Sequence, residues 1–96
     1  MVIEIMRFRL ALHADSLAFE AADRRVQIEF AYQQPGLLRR TVARAADGEW
    51  VAIDLWRSSQ EAERGAEAWE LDPVAADFMS FVDVDSVSVD RYETLD

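Results

Sequence analysis

The chain contains no cysteine and no lysine, one histidine, three glycines and two prolines in 96 residues. Without cysteine there can be no disulfide, no iron–sulfur cluster and no thiolate nucleophile. A single imidazole does not make an ordinary metal site, and a catalytic triad would need a partner set beside it. That histidine, His13, follows the first apolar run in a short polar link and reads as a solvated loop residue. Three glycines are too few for a phosphate-cradling loop. No apolar stretch approaches the ~18 residues of a membrane span. Glu4, Arg7 and Arg9 break the first apolar run, so no signal peptide is expected. A cytoplasmic protein is the resulting expectation. No linker, repeat or low-complexity segment divides the chain, so residues 1–96 read as one domain.

Basic residues are outnumbered. Nineteen acids face ten bases, all of them arginine, and the formal net charge is −9. Such a surface repels phosphate backbones unless it carries a local basic patch. Arg24-Arg25 and Arg39-Arg40 are mere pairs with acids nearby, so no nucleic-acid partner is expected. The run Glu61, Glu63, Glu67, Glu70 has the spacing of a solvated helix face, not of a metal cluster. What is present is an ordinary globular composition, 51% hydrophobic and 30% charged. A domain of this size hides only roughly 60–65% of its unfolded surface, so burying a further face in an oligomer would help it greatly.

The periodicities predict six elements and a helical extension. Val2 to Leu10 alternates as a strand, with Val2, Met6, Phe8 and Leu10 on one face and Glu4 as the odd member of that face. Leu17 to Tyr32 is predicted as one helix, capped by Asp15 or Ser16 and carrying the stripe Phe19, Ala22, Val26, Phe30. Pro35-Gly36 stops it. Leu37 to Ala46 and Glu49 to Arg57 are predicted strands joined at Asp47-Gly48, a signal for a type I′ turn. The second of these has Trp50, Ala52, Asp54 and Trp56 on one face and Val51, Ile53 and Leu55 on the other. Both faces are largely apolar, so it should be covered on both sides. Ser58 and Glu61 form a capping box before a helix carrying Ala62, Gly65, Ala66 and Trp69. Asp72-Pro73 opens a short helix with the stripe Val74, Phe78, Phe81. The last strand lies within Val84 to Thr94, and a change of phase predicts a bulge near Asp85-Ser86.

With right-handed crossovers this order folds as a ferredoxin-like β-α-β-β-α-β, an α+β domain. Its four-stranded antiparallel sheet carries helices on one face and leaves the other open to a partner. The element order, together with Pro35-Gly36-Leu37-Leu38 after the first helix and Trp56-Arg57-Ser58 followed by Ala62, resembles the dimeric α+β barrel superfamily, in particular its antibiotic-biosynthesis-monooxygenase-like domains. The resemblance spans essentially the whole chain. It implies a homodimer whose sheets face each other, with a cleft in each subunit between helices and sheet. Some relatives oxidise aromatic polyketides with molecular oxygen and no prosthetic group; others degrade haem. The haem-degrading relatives use an asparagine on the first strand, a tryptophan on the second helix and a histidine on the next helical segment. Here the corresponding positions are Phe8, Gly65 or Ala66 with Trp69 one turn on, and a segment from Pro73 to Phe81 whose nearest polar residue is Asp77. That chain has no ordinary proximal ligand for haem iron, and no cofactor is expected.

The candidate site residues follow from these patterns. Phe8, Phe19, Trp56, Trp69, Phe78 and Met79, with Trp50, either fill the core or line an aromatic-binding cleft between helices and sheet. Glu4 and Asp23 are the acids nearest that layer, and a carboxylate held in an apolar cleft can serve as a base on a phenolic substrate. Exposure at an edge, or pairing with an arginine, is the competing reading for both. Asp54 reads as structural, paired with Arg7, Arg9, Arg39 or Arg40 across strands or across the dimer. Two functions stand open: a cofactor-independent monooxygenase-like enzyme acting on a small aromatic or polyketide-like molecule, and a non-catalytic ligand-binding or structural homodimer. An open cleft of several hundred Å³ with Glu4 or Asp23 at its wall would favour the first; a cleft closed by Trp69 and Phe78 would favour the second.

Overall fold

A computed structural model describes residues 1–95. Strand β1 (Val2–Leu10) leads into a helical segment, a hairpin of β2 (Leu37–Arg44) and β3 (Trp50–Trp56), helices α2 (Ser59–Leu71) and α3 (Pro73–Met79), and β4 (Val82–Glu93). The strands form one antiparallel sheet in the order β2-β3-β1-β4, the ferredoxin-like arrangement expected from the element order. No helix among the described residues is long and apolar enough to cross a membrane.

The first helix departs from the expected single α-helix. Helix α1 (Ser16–Arg25) is capped by Asp15, whose side chain accepts from Leu17 and Ala18 N–H. The backbone then widens into a π-helical turn at Val26–Phe30 and tightens to a 3-10 turn at Ala31–Gln33. The expected stripe is buried throughout: Phe19, Ala22, Val26 and Phe30 all face the sheet. Val26 and Phe30 of the π-turn stay buried, and Asp23 and Gln27, four residues apart, both reach Arg40 of β2. Such π-turns are rare and recur at functional sites.

The hairpin corrects the turn type expected at Asp47-Gly48. A type I′ turn needs positive φ at both central residues, and no residue other than glycine has one. Instead Gly48 (φ 92°) donates to Ala45 O at 3.0 Å, and Ala45 donates to Glu49 O at 2.7 Å. This is a three-residue loop closed by a glycine bulge. The capping box is also altered. Ser58 Oγ accepts from Glu61 N–H at 3.2 Å, but the Glu61 carboxylate takes the Ser58 hydroxyl (2.9 Å) and Arg57 (2.6 Å).

The expected bulge in β4 is present. Arg7 pairs with Ser88 and Arg9 with Asp83, so β4 carries extra residues between those pairs. Ser86 plugs the gap: its hydroxyl accepts from Arg9 N–H at 2.8 Å and donates to Asp83 O at 2.6 Å. Through this bulge Val82 and Val87, which differ in parity, both pack against the core.

That core lies between the sheet and the helices at one end of the molecule. Phe8, Phe19 and Phe78 are buried, and Phe19 meets Phe8 at 5.8 Å and Trp50 at 5.0 Å, edge to face. The opposite sheet face carries Ile3 and Ile5 of β1, Val51, Ile53 and Leu55 of β3, and Tyr92 of β4. Ile3 stands between Leu55 and Tyr92, and Ile5 beside Ile53. No helix of this chain covers that face among the described residues, and Ile53 and Tyr92 are exposed.

Candidate functional site

A cavity of about 310 Å³ lies between the sheet and helices α2 and α3. Its apolar walls are Met6, Ala52, Trp56, Trp69, Phe78 and Met79. Small residues create the space. Gly65 of α2 sits so close to β3 that a Cβ there would fall 2.3 Å from Cη2 of Trp56. The glycine therefore lets the helix rest on the indole ring, with Ala66 beside it on the cavity wall. Trp69, one turn further, is held edge-on between Phe30 (5.4 Å) and Phe78 (5.5 Å). The aromatic wall is thus set by packing rather than left to swing.

The floor is charged. One row of directly paired residues crosses all four strands: Arg40 on β2, Asp54 on β3, Glu4 on β1 and Arg91 on β4. All four line the cavity. The outer members neutralise the inner two. Arg91 holds Glu4 through Nη2 and Nε at 2.9 and 3.2 Å. Arg40, only 7% exposed, gives Nη2 to Asp23 at 2.7 Å and Nη1 to Gln27 at 2.8 Å, and its Nε lies 4.0 Å from Asp54 Oδ1. Like charges directly opposite on a sheet repel, so the Glu4–Asp54 contact is tolerated only between these guanidiniums.

Asp54 is the poorly satisfied member. Its Oδ1 is buried with no hydrogen-bond partner among the described residues, as is Trp56 Nε1 two residues on. Burial pushes the Asp54 carboxyl up from 3.8 to about 6; the Arg40 charge opposes the rise and the Glu4 charge adds to it. A carboxylate there is ionised at neutral pH and basic enough to accept a proton.

The structure brings together Glu4, Trp56, Trp69, Phe78 and Met79 of the expected site residues. Phe8 and Phe19 are fully buried in the adjoining core instead, where three phenylalanine rings pack edge to face. Asp23 does not line the cavity; it grips Arg40 from behind. The residue that sequence reasoning set aside is Asp54. Its signal was available, a lone acid between Trp50 and Trp56 on an apolar strand face, but its pairing with both Arg40 and Glu4 needed the strand order. His13 takes no part in the cavity lining.

Comparison with solved structures agrees with this architecture. SnoaB, a cofactor-independent oxygenase from Streptomyces nogalater, superimposes with a TM-score of 0.80 at 22% identity, over 99% of this chain and 93% of that one. An antibiotic biosynthesis monooxygenase matches over the whole of both chains with a TM-score of 0.78 at 13% identity. Rv0793 from Mycobacterium tuberculosis matches with a TM-score of 0.72 at 20% identity, over 99% of this chain and 95% of that one. No protein-family model matches the chain, and no curated protein does. At these identities the likeness is one of fold. What is shared with these structures is the ferredoxin-like α+β fold, a four-stranded antiparallel sheet with helices on one face.

Proposed function

We propose that this chain is a cofactor-independent monooxygenase acting on a small aromatic or polyketide-like molecule, working in the cytoplasm as a homodimer. One observation carries the reading: an open cavity of about 310 Å³ with aromatic walls and a charged floor, in a domain that could have closed it with larger side chains. That volume is at the lower end for small-molecule sites and suits a ligand of a few fused rings. The fold shared with SnoaB, itself a cofactor-independent oxygenase, supports the chemistry. In that chemistry an activated ring methylene and one O₂ become a ring carbonyl and one water. The electrons come from the substrate, so no prosthetic group is required.

Dimerisation is supported by the bare sheet face. Ile3, Ile5, Val51, Ile53 and Leu55 form an apolar stripe along its centre, with Arg7 and Asp90 paired beside it at 3.3 Å. A second copy of the same face covers that stripe with matching apolar area. Sedimentation should show a dimer at micromolar concentration; a stable monomer would sink this part of the reading. For the activity, the test is oxygen uptake with a panel of hydroxylated anthrones. Consumption of one O₂ for each carbonyl formed is expected. Binding without turnover across the panel would leave a non-catalytic ligand-binding dimer.

A further inference from the structure

We propose that Asp54 is the proton acceptor of this cavity, and that the site therefore selects an aromatic ligand presenting an O–H, or an enolisable C–H, to the β3 floor. The inference rests on reading the cavity as a small-molecule site. It begins with the state of the four charged floor residues. Glu4 is held by Arg91, and Arg91 also lies 3.8 Å from Glu63 of α2. Arg40 is held by Asp23 and Gln27. Asp54 has only the Arg40 Nε at 4.0 Å, and its Oδ1 is buried without a hydrogen bond among the described residues. Buried carboxylates ordinarily accept several hydrogen bonds. This one stands unsaturated in the wall of a cavity that Trp56, Trp69 and Phe78 also line. The Asp54 side chain is 24% exposed and lines the cavity, so a ligand hydroxyl placed against the floor donates to its other, accessible carboxylate oxygen.

The proton step balances without any other reagent. The proton passes from the ligand oxygen or carbon to a carboxylate oxygen of Asp54. The bonding electron pair stays on the ligand as a phenolate or enolate, and the net charge of the site is unchanged. Arg40 then faces a neutral acid and a ligand anion in place of a charged Asp54. Every charged group around Asp54 bears on this exchange. Glu4 on β1 disfavours the Asp54 charge, Arg40 on β2 favours it, Arg91 on β4 offsets Glu4, and Asp23 of α1 offsets Arg40. Glu70 of α2 lines the same cavity; α3 contributes only Phe78 and Met79. Burial holds the Asp54 carboxyl at about 6, so the acceptor form predominates at neutral pH.

The test compares two probes by calorimetry: 2-naphthol, which has a donor, and 2-methoxynaphthalene, which has none. At pH 7.5 the wild type should bind 2-naphthol at least about tenfold more tightly, the scale of one hydrogen bond to a charged group. That preference should fall as pH drops through about 6. Asp54→Asn should bring the two affinities within about threefold while 2-methoxynaphthalene binds as before. Glu4→Gln should keep the preference but move its midpoint to lower pH, because a neighbouring negative charge has gone. This second variant decides the matter if Asp54→Asn does not fold. If both probes bind and Asp54→Asn keeps the full preference, Asp54 is not the acceptor, while the cavity stands as a site. Loss of the preference in Glu4→Gln alone would transfer the role to Glu4 and overturn the proposal. If neither probe binds the wild type, the small-molecule reading falls and the proposal with it.

Discussion

Replacing Asp54 by asparagine should stabilise the protein, and by an amount that depends on pH. The carboxyl is held at about 6 in the fold against 3.8 in the unfolded chain. At 1.36 kcal/mol per tenfold, keeping it charged costs the native state about 3 kcal/mol. The sign follows from proton binding. Between the two values the folded protein holds this proton and the unfolded chain has released it, so native stability falls as pH rises through that window. Below about pH 3 the acid is largely neutral in both states and asparagine is nearly isosteric with it. The stability of Asp54→Asn minus that of the wild type should therefore be flat below about pH 3, climb between about pH 3 and about 6.5, and level off about 3 kcal/mol higher. In a domain of this size that corresponds to a gain in Tm on the order of 10 °C or more. Urea titrations of both proteins from about pH 2.5 to about pH 8 measure it directly. The lowered carboxyls of Glu29, Asp47 and Glu61 act in the opposite direction but are common to both proteins, so they cancel in the difference. A difference that does not change with pH would mean that Asp54 titrates as an ordinary surface acid, and would remove the physical basis for its basicity near neutrality.

Three further outcomes test other parts of the structure. Gly65→Ala should cost about 1–3 kcal/mol, because the new Cβ meets the Trp56 ring and the helix must move off it; thermal melts report it. Arg40→Met should cost about 3–5 kcal/mol, since it strands Asp23 and the buried Asp54 without their shared cation. Adding Asp54→Asn to that variant should recover part of the loss in a urea titration, because one of the two stranded charges is gone. Ile53→Arg should convert the proposed dimer to a monomer in sedimentation velocity, since it places a charge in the apolar stripe of the bare sheet face.

The elements were legible in the sequence because their signals are local. Asp15, Ser58 and Asp72 cap the helices that their side-chain chemistry suits. The slip in valine parity along the last strand marked a real bulge, closed by Ser86. The two-sided apolar character of β3 marked a sheet with helices on one face and, among the described residues, no helix on the other. What failed were features set by backbone geometry over a few residues. A π-turn leaves the helical apolar stripe almost intact, so Val26 to Phe30 read as ordinary helix. Asp47-Gly48 suits two kinds of hairpin turn, and the loop from Ala45 to Glu49 took the one with a single left-handed residue.

The floor of the site shows a deeper limit. Glu4, Arg40, Asp54 and Arg91 are spread over nearly the whole chain, and each alone reads as an edge charge or half of a surface pair. They become one row only when β1 is placed between β3 and β4 and the registers are fixed. The four charges cancel as a set, which is why a half-buried acidic pair is tolerated at all. Cancellation is uneven: Arg91 bonds Glu4 twice, whereas Asp23 and Gln27 draw Arg40 away from Asp54. Had Arg40 closed on Asp54 at hydrogen-bond distance, the floor would be a satisfied structural network with no basic group to offer. Asp23 and Gln27, one turn apart on the helical segment, therefore bear on the chemistry of the cavity although neither residue lines it.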